Sequence, residues 1–165
     1  MPLEKMVINS LFYTLLGAGY LLLVMVMVNP RIWGYQDYPD RIKEKVSPQT
    51  RKERALAGLI SVPWVLFMLA YPVMATALLE RELDGDLPFA VAFLNIFFMV
   101  FIFFLVDVVV LDWLIISKIT PKFVIIDGTT AADYKDFSHH YKSHAIAAIP
   151  LTGFCALLAV LVVIL

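Results

Sequence analysis

Charge is scarce in this sequence and cysteine is almost absent. Asp, Glu, Lys and Arg make up 16% of the 165 residues, against about a quarter of an ordinary soluble domain. The charges nearly cancel, to a net −1, so there is no global basic field to attract nucleic acid. No zinc-finger, recognition-helix or RNA-binding signature is present either. The lone cysteine, Cys155, excludes an internal disulfide and two-thiol redox chemistry. It sits in an apolar run, where a thiol behaves as a small hydrophobe. A nucleophile elbow, a phosphate-cradling glycine loop and a serine–histidine–aspartate order are all missing. Ser138 adjoins His139, but neighbours in sequence point apart on a helix. No catalytic residue is therefore assigned. In place of charge, 61% of residues are hydrophobic and the mean hydropathy is +0.83. A water-soluble fold of this size cannot bury so much apolar surface, which makes this an integral membrane protein.

Crossing the hydrocarbon takes about 20 apolar residues in a helix. Four stretches qualify: residues 7–28, 55–79, 89–116 and 145–165. The first is too long for a signal-peptide core, and only Lys5 precedes it, so it reads as a span. The expected architecture is all-α: one membrane domain, residues 1–165, built as a four-transmembrane-helix bundle. Lysine and arginine set its orientation. The loop 29–54 carries Arg31, Arg41, Lys43, Lys45, Arg51, Lys52 and Arg54, and the loop 117–144 carries Lys118, Lys122, Lys135 and Lys142. Only Lys5 and Arg81 lie on the other side. Both long loops are thus expected in the cytoplasm and both termini outside, with the acidic Glu80–Asp86 turn as a short external hairpin. A prokaryotic plasma (inner) membrane is the expected location, with membrane lipids, a second copy or a larger complex as partners.

Ser10, Thr14 and Ala18 share a face of the first span, and Ala148, Thr152 and Ala156 share one of the fourth. Small residues at four-residue spacing let helices approach closely in lipid. Pro63 and Pro72 fall inside the second span, where kinks are expected. Asn29-Pro30 stops the first helix, and Trp33 and Tyr35 suit the interface. Thr50-Arg51-Lys52-Glu53 reads as a capping box that starts the second helix before the membrane. In the second loop, Phe123-Val124-Ile125-Ile126 reads as β-rich and ends at an Asp127-Gly128 turn. Thr130 and Asp133 have capping-box spacing, so one helix is expected from about Ala131 into the fourth span. Asn29-Pro30-Arg31 and Thr120-Pro121-Lys122 are offset by 91 residues, a weak sign of a duplicated hairpin.

Asp107 and Asp112 stand out. A carboxylate inside a transmembrane helix costs at least ~2.5 kcal/mol on insertion scales and marks a functional site by default. On an α-helix Asp107 lies roughly 13 Å inside Ile116 and Asp112 about half that, so Asp112 is expected to reach interfacial water and Asp107 to need a cavity or partner. Asp136, His140 and His144 repeat every four residues along one helix face. The candidate binding site for a proton, cation or polar headgroup is Asp107, Asp112, His140 and His144. Asp112, Asp136, His140 and His144 form a candidate metal shell, because histidines at i and i+4 can chelate zinc. The plainer alternatives are that the histidines meet headgroups, that Asp112 pairs with Lys118 or Lys122, and that Asp107 bonds Thr152 or Tyr13. Asn95 reads as a packing residue, and His139 lies off the face. Arg41, Lys43, Lys45, Arg51, Lys52 and Arg54 are candidate contacts for anionic lipid, at about 1 kcal/mol each. Binding or conduction at the Asp/His site is the leading functional reading. An accessory or scaffold subunit of a membrane complex is an alternative, and a metal-dependent enzyme acting on lipid headgroups is another. No cofactor is required by the sequence, and a divalent metal is the one it admits.

Overall fold

The computed structural model describes residues 3–83, 85 and 87–164. Asp84 and Asp86 of the acidic turn, and Leu165 at the end of the fourth span, lie outside the described residues, as do Met1 and Pro2. The chain is all-helical, and no strand occurs among the described residues. Four helices are long and apolar enough to cross a membrane. They are α1 (Leu3–Met27), α4 (Arg51–Glu82), α5 (Phe89–Val106) with its continuation to Ile119, and α6 (Ser138–Ile164). Two single turns, α2 (Pro30–Trp33) and α3 (Asp40–Lys43), lie in the first long connection.

Local chemistry sets the helix ends. Asn29 follows α1, and its side chain accepts the Arg31 N–H to start α2, with Pro30 in the first turn. The Thr50–Glu53 capping box is formed and starts α4. At the same end of the bundle α5 does not simply stop. From Asp107 to Ile119 it continues as a π-helix, in which hydrogen bonds run from i to i+5. Thr120 ends it in the left-handed conformation, φ 56°, and Lys135 Nζ donates to the Lys118 carbonyl and to Thr120 Oγ1, both at 2.8 Å. A cation on terminal carbonyls offsets the dipole there.

The second long connection departs from the sequence expectation twice. Residues 123–126 form no strand. A 3₁₀ turn, Lys122–Val124, leads into Ile125 and Ile126, whose side chains and that of Val124 pack under the bundle with Tyr38 and Tyr134. The β-branched run is an apolar plug with no strand to pair with. The Thr130–Asp133 capping box does form, but on a 3₁₀ turn, Ala131–Tyr134. The helix then breaks, and Asp136 Oδ1 accepts the Ser138 N–H (2.9 Å) where α6 begins.

The two long connections meet at one end of the bundle. Tyr38 Oη donates to the Val124 carbonyl (2.9 Å), the Tyr38 and Tyr134 rings meet edge-on with centroids 5.0 Å apart, and Arg41 and Lys45 pair with Asp136 and Asp133. At the opposite end Lys5 pairs with Glu82. Between the ends, Tyr13 stacks on Phe67 and meets Phe103 edge-on. Gly17 lies directly under the Trp64 ring. Ser10 and Thr14 are buried with it, so the small face of α1 is a packing face. The corresponding stripe on α6 is not: Thr152 is exposed, and α6 buries Cys155, Leu158, Ala159 and Val162 instead. Asn95 is a buried packing residue whose Nδ2 donates to Thr76 Oγ1 at 2.9 Å.

Candidate functional site

The π-helix decides the site. On an α-helix residues five apart diverge by about 140°. A ladder closing every five residues instead stacks Asp107 over Asp112, toward α6. Asp112 Oδ2 lies 3.1 Å from His140 Nδ1 and 3.5 Å from His144 Nδ1. Asp107 Oδ2 lies 3.1 Å from His144 Nε2. All four candidate binding residues therefore meet. Exposure is the reverse of the α-helical expectation. Asp112 and His140 are the covered pair, with side chains 13% and 9% exposed, whereas Asp107 and His144 keep 26% and 18%. The deeper acid is the more accessible one; it borders two cavities where Asp112 borders one.

That cavity, about 600 Å³, lies at the loop end between the helices. Tyr20 and Leu21 of α1, Ser61 and Trp64 of α4, and the Asp/His cluster line it. The first connection closes one side with Trp33, Gln36, Asp37 and Tyr38. Gln49 holds that connection in place: its Nε2 donates to the Arg31 carbonyl (2.6 Å), and its Oε1 accepts from Gln36 Nε2 (2.9 Å). Arg31 Nε in turn donates to Glu53 (2.6 Å). A third acid thereby joins the site. Asp37 is open to solvent at the wall, and its backbone carbonyl lies 3.1 Å from His139 Nε2. Crowding by the concave wall, then the charges of Asp112 and Asp107, push its carboxyl above the usual carboxylate range; His140 and Lys43 pull the other way.

His144 has acceptors on both sides. Its Nδ1 is 3.0 Å from the His140 carbonyl and its Nε2 faces Asp107. A ring that donates Nδ1–H to a carbonyl presents a lone pair at Nε2, the arrangement of a metal-binding histidine. Lone pair and carboxylate meet at 3.1 Å only with a proton or a cation between them. The Phe104 ring meets the imidazole edge-on, 5.0 Å between centroids, and fixes its plane. One donor atom each from Asp107, Asp112 and His144 lies within 4.8 Å of the others, a mixed N/O set that divalent metals accept.

Asp136 is not part of this cluster. The break at residues 135–137 takes it off the α6 face, and its Oδ2 accepts from Arg41 Nη1 at 2.8 Å. The plainer partners of Asp107 are engaged elsewhere, since Tyr13 Oη donates to Met68 Sδ and Thr152 Oγ1 donates to the Ala148 carbonyl, and Asp112 faces His140 and His144. Of the basic residues, Arg41 and Lys45 tie the two connections together, Lys43 donates to the Gln36 carbonyl, and Arg54 donates to the Gln49 carbonyl. Arg51 and Lys52 are exposed at the start of α4.

Sequence reasoning missed Asp37, Trp64 and the π-helix, and set His139 aside as lying off the face. The five-residue spacing of the two aspartates was the one available sign of the π-helix. No family model matches the sequence, and no curated protein or solved structure matches it.

Proposed function

We propose that this multi-pass membrane protein binds a cation in the cavity at its loop end, with Asp107 and His144 as the contacting pair and Asp112 and His140 as the pair behind them. Lysine and arginine counts support an orientation with the long loops in the cytoplasm and the termini outside. The site would then face the cytoplasmic leaflet, where a metal ion, a proton or a polar lipid headgroup can reach it.

One observation carries the reading. The Asp107–His144 pair, 3.1 Å apart with Asp112 beside it, lies on the wall of a cavity that three carboxylates share, a concentration of negative charge that a cation would offset. The donor set of Asp107, Asp112 and His144 favours a divalent metal as one such cation.

Trp33 and Trp64 line the cavity and report on it. The full chain in lipid nanodiscs, stripped with chelator, is titrated with zinc, manganese(II) and butylamine while tryptophan fluorescence is followed. At least one should give a saturable change, weakened about tenfold or more in Asp107→Asn, as expected when one of two partners of a charged contact is neutralised. The variant should keep its helical circular dichroism. No saturable response to any of the three in the wild type overturns the proposal.

A further inference from the structure

The Asp/His cluster borders a second cavity. This one, about 320 Å³, is a mostly apolar groove lined by Met68 of α4, Phe103 and Phe104 of α5, and Ala147 and Leu151 of α6. Trp64, Asp107, Ser143 and His144 border both cavities. The direction of the groove follows from the chain. Helices α4 and α6 run away from the loop end and α5 runs toward it, so Met68, Leu151 and Phe103 all lie farther into the span than the cluster. Leu151 is seven residues beyond His144, roughly 10 Å along the helix. Ser143 and Ala147, both small and exposed, leave the α6 edge of the groove low. An acidic chamber at the loop end thus continues into an apolar slot that points toward the bilayer centre.

The chamber wall has a definite sign. It presents Asp37, Asp107 and Asp112 together with the rings of Tyr20, Trp33 and Trp64. Among the described lining residues there is no lysine or arginine. Carboxylates and aromatic faces suit an ammonium group. A phosphate or carboxylate head would face three carboxylates, with imidazoles as the only basic groups among the described lining residues.

We infer that the site takes a membrane amphiphile with an ammonium head and a hydrocarbon tail, the head held in the Asp/His chamber and the tail lying in the α4–α6 groove. The inference rests on the cation-binding reading and narrows its ligand. Loading is sideways, from the bilayer, past Ser143 and Ala147.

Three probes and one filled groove test it. Nanodisc-held protein is titrated with dodecylamine, dodecyl phosphate and butylamine, again by tryptophan fluorescence. Dodecylamine should bind saturably and about tenfold or more tightly than dodecyl phosphate, since the head sign selects. Ala147→Phe puts a ring into the groove and should weaken dodecylamine about tenfold by overpacking, with butylamine unchanged. Leu151→Trp fills the deeper end and should do the same if Ala147→Phe loses its helical circular dichroism. Equal binding of the amine and the phosphate, or groove variants that weaken neither amine or both alike, overturns the amphiphile. The cation site then still stands if butylamine or zinc binds the wild type and not Asp107→Asn. If no amine and no metal binds, both readings fall.

Discussion

Asp37 is the residue on which solvent and fold disagree most. The fold raises its carboxyl above the ordinary range, so ionising it costs stability. The loss begins as pH rises through the unfolded-state value of about 3.9 and is complete once the folded-state value is passed. Asp37→Asn removes that loss. In cation-free buffer the variant should unfold at a higher temperature than wild type near neutral pH, and the gap should close in acid below the ordinary carboxylate range. A gap that stays constant with pH would assign the effect to packing instead. Nothing in the sequence marks this residue, because it stands in a loop without helical spacing. Long-range contacts such as the Tyr38–Val124 bond and the His139 contact bring it to the site. His140 and His144 were legible for the opposite reason, since four-residue spacing on a helix is a local geometric fact. Asp136 shares that spacing and was misread. The helix does not extend back to it, and Arg41 holds it outside.

Among the elements, the π-helix and the first connection shape the chamber. Spans, the Asn29-Pro30 stop and the Thr50–Glu53 capping box were readable because each depends on neighbouring residues alone. A π-helix is rare, and an α-helical reading separates Asp107 from Asp112. The connection depends on one tight approach. A Cβ at Gly34, the residue that closes α2, would stand 2.9 Å from Tyr38 Cζ and 3.0 Å from its Oη. Tyr38 is fully buried, so it cannot swing away freely. Gly34→Ala should therefore destabilise the protein by about 1–3 kcal/mol, as overpacking does, and weaken cation binding by displacing the Asp37 wall. Thermal unfolding and the zinc or butylamine titration check the two effects. A variant with wild-type stability and affinity would show that the connection does not set the chamber.

For the whole molecule, four apolar helices follow from summed hydropathy, which is why their number was plain from the sequence. The chamber is a different kind of object. Three helices, the π-helical extension and the first connection each supply part of it, and no short stretch of sequence contains the arrangement. Cation binding in the chamber puts the ligand against the imidazole of His144. The most direct measurement is the NMR spectrum of the imidazole nitrogens in histidine-labelled protein held in nanodiscs, recorded cation-free and then with zinc or dodecylamine. Signals assigned by His140→Ala and His144→Ala should shift on addition, that of His144 most, and Asp107→Asn should suppress the change. Resonances of His140 and His144 that stay in place at saturating zinc, butylamine and dodecylamine would contradict the claim and leave the cluster a purely structural contact.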